Sequence, residues 1–153
     1  MPPVAQAFET ISTAKVGTSA EESRELLFLT ERDRISMNRD RLLADAKSFA
    51  LELTEGYQPP EPAVLSLPGA TARTAMAMAV GDFVTQGKAT AYDAEVAREL
   101  AFVLSGGNTD VTAEVTEKKL LELERQAFIN LVKKGPTLDR IEHMLETGRP
   151  LRN

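Results

Sequence analysis

Apolar residues recur at intervals of three and four through most of this 153-residue chain. This is the spacing of one face of an α-helix, as in Val4, Ala7, Phe8 and Ile11. No stretch alternates apolar and polar residues for long enough to predict a strand, and no segment repeats. We therefore predict an all-α fold of about six helices with no sheet of its own.

Capping residues mark the helix boundaries. Thr18 or Ser19 is predicted to begin a second helix, because a Glu stands three places after each of them and can complete a capping box. Further helices are predicted to begin at Asn38, Thr90 and Thr116 and to end at Gly56, Gly87, Gly106 with Gly107, Gly135 with Pro136, and Gly148.

The periodic residues define the core that we predict. They lie at one helical face in each segment and are therefore expected to point inward. They are Leu26, Leu27 and Leu29; Leu42, Ala46, Phe49 and Leu53; Ala72, Met76, Ala79, Val80 and Phe83; Tyr92, Val96, Leu100, Val103 and Leu104; Leu120, Leu121, Ala127, Phe128, Leu131 and Val132; and Leu138, Ile141, Met144 and Leu145.

A proline-rich stretch, residues 57–69, divides the chain. It holds four of the eight prolines, which favour an extended backbone. Val64, Leu65 and Leu67 would be exposed in a solvated linker, so we predict an ordered strap held against the protein surface.

The composition excludes several classes of protein. Cysteine is absent, which removes disulfides, thiolate zinc sites and cysteine nucleophiles. The net charge is −5 and no block of basic residues occurs, so a nucleic-acid or anionic-membrane partner is not expected. No apolar run is long enough for a membrane span and no secretion signal is visible, so we predict a cytoplasmic location.

The chain shows no recognisable active site. Gly106 and Gly107 with Asn108 follow a helix and are predicted to be its C-cap, not a phosphate loop. His143 has no partner at metal-ligand spacing. The acidic residues Glu21, Glu22 and Glu25 are predicted to lie at the positive end of a helix, which accounts for them without catalysis.

Two further features of the sequence are a pair of methionines and a run of charged residues. Met76 and Met78 are interpreted as core fillers and not as part of a cofactor site. The charged run from Arg32 to Arg41 alternates in sign and favours local ion pairs or an interface, with phosphate or CoA contact as the alternative. We assign no catalytic, cofactor-binding or metal-ligating residue to this chain.

Several segments resemble proteins of fatty-acid β-oxidation. Three of them are similar to the part of the crotonase (enoyl-CoA hydratase/isomerase) fold that follows its catalytic core. They are ETIST at 9–13, TSAEES at 18–23 and LLFL at 26–29. Other segments are similar to the C-terminal end of large bacterial 3-hydroxyacyl-CoA dehydrogenases, in which dehydrogenase domains precede a crotonase-like domain. These segments are ISMNRDRLLADAK at 35–47, LELERQAF at 121–128 and RIEHMLETGRPLRN at 140–153.

The resemblance implies a parent enzyme that oxidises 3-hydroxyacyl-CoA with NAD and whose crotonase-like part hydrates or isomerises enoyl-CoA. Residues 1–56 would then be the C-terminal segment of the crotonase fold, 57–69 the strap and 70–153 an appended helical bundle. The chain, starting at Met1, is expected to be a fragment that is inactive alone and carries no cofactor, while NAD serves the parent.

The expected role of the chain is to cover the crotonase-like core of the parent enzyme or to take part in its oligomerisation. The implied partners are the remaining parent enzyme with its crotonase-like core and, through that enzyme, an acyl-CoA substrate; a homo-oligomer is left open. The alternative is a free-standing helical protein-interaction module.

Overall fold

The computed structural model describes residues 2–153 and confirms the mainly helical fold, with seven α-helices in that range. Met1, where the expected fragment starts, lies outside the described residues. The elements are α1 (Pro2–Ser12), α2 (Ala20–Glu25), a 3-10 helix (Arg39–Arg41), α3 (Leu42–Thr54), β1 (Val64–Ser66), α4 (Gly69–Thr85), α5 (Ala91–Leu104), β2 (Glu114–Thr116), α6 (Glu117–Val132) and α7 (Gly135–Thr147).

The chain forms two compact units. The larger unit comprises residues 2–13 and Pro62–Asn153, and the smaller unit comprises Ala14–Glu61. The helix α1 thus belongs to the same unit as α4 to α7. The division into a crotonase-like segment, a strap and an appended bundle concerns the origin of the chain and stays a prediction.

The core of the larger unit lies where α4 and α5 pack together and α1 joins them. Met76 and Val80 of α4 are buried there, as predicted, together with Phe8 of α1. Alanines that the periodicity did not single out supply the α5 side, because small side chains let helices approach closely. These are Ala94, Ala97 and Ala101.

A second buried cluster joins α5 to α6. It contains Val103, Leu123 and Ala127, with Phe102 and Leu120 partly buried against it. Leu123 was not among the predicted core residues, although its side chain is buried. The face of α6 that packs on α5 is therefore centred on Leu123 and Ala127.

The predicted core was wrong for a substantial set of residues. Their side chains are exposed because no other element of the structure covers that side of their helix or turn. They are Ile11, Leu27, Leu42, Ala46, Leu53, Ala79, Phe83, Leu121, Phe128, Leu138, Ile141, Met144 and Leu145.

Most of the predicted caps are confirmed. The Thr90 side chain accepts a hydrogen bond from the Asp93 amide at 3.0 Å, and the Asp93 carboxylate accepts one from the Thr90 amide at 2.9 Å, which makes a complete capping box. Ser19 and Thr116 cap α2 and α6.

Two boundary predictions need correction. Asn38 caps the short 3-10 helix that precedes α3 and not α3 itself. Gly135 and Pro136 do not end α6, which stops at Val132; they open α7. Proline fits the first turn of a helix because its missing N–H group would have no intrahelical partner there.

The structure contains a small sheet that the sequence did not predict. Strands β1 and β2 pair antiparallel, with Leu65 opposite Val115. Val115 is almost fully buried, and Leu65 and Leu67 are half-buried. Strands of three residues are too short to show alternation, which explains why the pattern was missed. The pairing holds the last part of the proline-rich segment in place.

The smaller unit is held by polar contacts. Arg34 forms two hydrogen bonds with the Glu52 carboxylate, at 2.5 and 3.3 Å, and its guanidinium group lies 4.1 Å from the centroid of the Phe49 ring. The Asp33 carboxylate accepts hydrogen bonds from the Thr30 amide and hydroxyl. No residue between Ala14 and Glu61 is buried.

We expect Thr90→Ala to destabilise the larger unit. The substitution removes the side-chain acceptor that caps α5, and the loss of such a cap costs about 1 kcal/mol of unfolding free energy. Urea unfolding followed by circular dichroism measures the effect. Thr71→Ala, an exposed threonine in the first turn of α4, is the control and should change the unfolding free energy little. Equal effects at the two positions would contradict the capping role.

Candidate functional site

An apolar groove of about 810 Å³ lies between α5 and α6 of the larger unit. Its walls combine side chains from both helices with the end of α1. The apolar wall residues include Val96, Leu100, Val103 and Leu104 of α5 and Leu120, Ala127 and Leu131 of α6. Its size is within the range of about 300–1,000 Å³ typical of binding clefts.

Three large apolar side chains stand at the groove and remain exposed. Ile11 is 53% exposed, Leu121 is 55% exposed and Phe128 is 62% exposed. Leu121 and Phe128 are seven residues apart on α6, so they lie two turns apart on the same side of the helix. Their side is rotated away from the face that packs on α5, which leaves α6 with a second, uncovered apolar surface.

An ion pair between Asp93 of α5 and Arg140 of α7 lines the groove. The Arg140 guanidinium lies 2.9 Å from the Asp93 carboxylate and 5.0 Å from the centroid of the Tyr92 ring. Burial raises the pKa of the Asp93 carboxyl, but hydrogen bonds from the Thr90 amide and from Arg140 outweigh this effect. The pKa of Asp93 therefore lies below its usual range.

The position of Arg140 is fixed from the other side by the last residue of the sequence. Arg140 donates hydrogen bonds to the Asn153 side chain at 2.7 Å and to its backbone oxygen at 3.2 Å. The Asn153 side chain in turn donates to the Pro136 carbonyl at 3.1 Å. Arg140 thus connects the start of α5, helix α7 and the tail.

The α5–α7 contact has two further polar links. The Tyr92 and Thr137 hydroxyls are 2.5 Å apart, and the Lys134 ammonium lies 2.5 Å from the Glu95 carboxylate. The hydrogen bond from Lys134 lowers the pKa of Glu95. The second link is largely exposed and contributes little to stability.

The lining of the groove is mainly apolar, with a few charged side chains. Glu124 and Arg125 at its edge are exposed and have no ion-pair partner among the residues that the structure describes. Ser12 lines the groove but donates its hydroxyl to the Glu9 carbonyl, and no histidine lines it to act as a base. The lining therefore offers apolar area and a few charges, without a nucleophile and base pair.

Glu21 and Glu22 lie in the first turn of α2, as predicted, whereas Glu25 is the last residue of this short helix and does not lie at its positive end. Glu22 accepts hydrogen bonds from the Thr18 amide at 2.7 Å and hydroxyl at 2.6 Å, and these lower the pKa of its carboxyl. Glu21 pairs with Arg24 at 2.9 Å. His143 is half-buried on α7, away from this cluster in the sequence and in a different unit.

The methionine interpretation is right for one residue and wrong for the other. Met76 is buried in the core between α4 and α5, whereas Met78 is 70% exposed on the outer side of α4. Two residues along a helix turn the side chain by about 200°, so both could not face the core. The expectation that Met78 fills a core gap is corrected.

The charged run of 32–41 forms a local ion pair, as predicted, and also a pair over a longer range. Arg34 pairs with Glu52, eighteen residues away, and Arg41 pairs with Asp45 at 3.6 Å.

The prediction that Gly106 and Gly107 form a helix C-cap is confirmed, because both follow α5 with φ angles of +85° and +73°. An added Cβ would meet Leu67 at 3.2 Å and Leu123 at 3.1 Å, respectively.

Residues 2–153 contain no group of three or more histidine, aspartate or glutamate side chains that could hold a metal ion. No helix in this range has both the length and the apolar character that a membrane crossing needs.

Comparison with known proteins gives one informative similarity. The chain is 42% identical over 147 residues, 95% of its length, to the "Probable 3-hydroxyacyl-CoA dehydrogenase" of Bacillus subtilis (strain 168). The matched segment is 19% of that relative, so the chain spans about a fifth of the length of the curated protein that it resembles. No protein-family model and no solved structure matches the chain.

We expect the Asp93–Arg140 pair to make the stability of the larger unit depend on pH. Because the pKa of folded Asp93 is lowered, its stabilising effect is present above the unfolded pKa of about 3.9 and is lost as the pH falls through the folded value. Asp93→Asn should lower the unfolding free energy at pH 7 by about 1 kcal/mol.

Urea unfolding at pH 7, 5 and 3 measures this dependence. The difference between the wild type and Asp93→Asn should shrink below pH 4. The control Asp139→Asn changes an exposed carboxylate on α7 for which the structure shows no partner. A difference for Asp93→Asn that stays constant down to pH 3 would show that the carboxylate charge is not the cause.

Proposed function

We propose that this chain is a helical segment of a larger 3-hydroxyacyl-CoA dehydrogenase and that it serves assembly and not catalysis. The observation that carries the proposal is the 42% identity over 95% of the chain to a protein described as such an enzyme. The groove lining, which lacks a paired nucleophile and base, supports the non-catalytic role.

The exposed apolar residues of the smaller unit support a role in assembly. A self-sufficient domain buries most of its large apolar side chains, because their transfer out of water drives folding. Ten such side chains are exposed between Ala14 and Glu61, and none is buried. They are Val16, Leu27, Phe28, Ile35, Met37, Leu42, Leu43, Leu51, Leu53 and Tyr57.

The finer parts of the proposal follow the resemblance of the sequence. The segment 1–56 would derive from a crotonase-like domain, with enoyl-CoA hydration or isomerisation as an activity of the parent. NAD and acyl-CoA would be bound by the parent outside this chain, in the cytoplasm. We assign no residue of this chain to either molecule.

A second candidate is a free-standing helical interaction module. It is favoured by the larger unit, which has its own core around Met76 and Ala101 and a complete capping box at the start of α5. The reading frame upstream of Met1 separates the two candidates: continuation into a glycine-rich dinucleotide loop supports the dehydrogenase segment, and a frame that does not continue supports the module.

The first test is enzymatic. The isolated chain should not reduce NAD with a 3-hydroxyacyl-CoA substrate. A chimera of the Bacillus relative, in which this chain replaces the matched segment, should keep the activity of that relative, whereas deletion of the segment should abolish activity or prevent folding. Turnover by the isolated chain would contradict the proposal, as would a deletion that leaves both activity and thermal stability unchanged.

The second test concerns the isolated chain. Its exposed apolar surface should bind a hydrophobic dye or drive self-association. Dye fluorescence and sedimentation velocity at several concentrations measure the two effects. A strictly monomeric chain that also fails to bind the dye would contradict the role in assembly.

A further inference from the structure

We propose that the groove between α5 and α6 is the seat of an amphipathic helix from the part of the parent enzyme that lies outside this chain. The inference rests on the proposed function and goes beyond it by naming the docking surface and the kind of segment that docks. It concerns only the larger unit.

The shape of the groove distinguishes it from the other exposed apolar residues of the larger unit. A side chain that enters a concave apolar site loses nearly all its contact with water, and such central pockets carry most of the energy of an interface. The exposed residues of α7, such as Leu138 and Leu145, lie on one helix and do not line the groove. A side chain inserted into the groove would be enclosed by both α5 and α6.

The groove is held open by fixed structure. Its α5 wall is anchored by the buried residue Ala101, and its α6 wall by Leu123 and Ala127. The Asp93–Arg140 pair fixes the contribution of α7. A binding surface that is rigid before the partner arrives loses little conformational entropy on docking.

The chemistry of the groove fits an amphipathic helix. Two exposed apolar residues, Leu121 and Phe128, lie two turns apart along α6, which matches the spacing of side chains on one face of a helix laid beside it. Between them, Glu124 and Arg125 have no ion-pair partner among the described residues. The docking helix would therefore carry an apolar face with charges of both signs beside it.

The occupant is assigned to the parent and not to a second copy. The matched segment is 19% of the Bacillus relative, so about four fifths of a chain of that length lies outside it and can supply a helix. The net charge of −5 on each copy opposes the pairing of two copies at low salt, whereas a segment of the parent is covalently linked and needs no second copy.

Thiol labelling in the chimera described above tests the inference. The chain has no cysteine, so Phe128→Cys introduces its single thiol at the groove, and Leu145→Cys on α7 is the matched control outside it. Each thiol is labelled with a maleimide, and the modified peptide is followed by mass spectrometry in the isolated chain and in the chimera.

Both positions should react rapidly in the isolated chain. In the active chimera the thiol from Phe128→Cys should react more slowly by about tenfold or more, equivalent to about 1.4 kcal/mol of opening free energy, while the control is unchanged. Equal labelling of the two positions in an active chimera would overturn the inference but leave the proposed function intact. An inactive or unfolded chimera would overturn the proposed function and the inference with it.

If the thiol of Phe128→Cys is protected from labelling in the isolated chain, the groove has a different occupant. If protection at Phe128→Cys appears there and increases with protein concentration, a second copy fills the groove. If it appears only when a 3-hydroxyacyl-CoA is added, a small molecule fills it. Either result would overturn the assignment to a helix of the parent.

Discussion

The close packing of α4 on α5 is the contact on which the larger unit depends. It is made by small side chains: Ala72 and Ala101 are almost completely inaccessible to solvent, and Met76 fills the space beside them. Because α5 also contacts α1 and α6, it is the central helix of the unit. A larger side chain at Ala101 would force α4 and α5 apart and displace both neighbouring contacts.

Around this apolar centre, polar contacts fix the ends of the helices. The capping residues Thr90 and Asp93 begin α5, and Asp93 also holds Arg140 of α7. At the other end of α5, Gly106 and Gly107 turn the chain in a conformation that favours glycine, and an added Cβ there would crowd Leu67 and Leu123. The apolar contacts thus determine which helices are neighbours, and the polar contacts determine where each one starts and stops.

The sequence predicted the helices well because capping is local. Thr90 and Asp93 are three residues apart, and their hydrogen bonds need no information from the rest of the chain. The small sheet was missed because the pairing of Leu65 with Val115 joins residues fifty positions apart. No candidate active site was predicted, and the groove was missed because Leu121 and Phe128 were expected to be buried. Periodicity shows which side of a helix is apolar, but not whether another element covers it.

The larger unit is discontinuous in sequence, and this affects the order in which it can form. Phe8 packs in a cluster with Ala97 and Ala101, although the whole smaller unit lies between them in the chain. Because α5 follows α1 and the smaller unit in the chain, the contacts of Phe8 with Ala97 and Ala101 can form only after α5 has been made. The entropic cost of closing such a loop grows only with the logarithm of its length. The long separation between α1 and α5 in sequence therefore destabilises the folded unit only a little. The packing of α1 on α5 is therefore a long-range contact, of the kind that slows folding because distant parts of the chain must first come together.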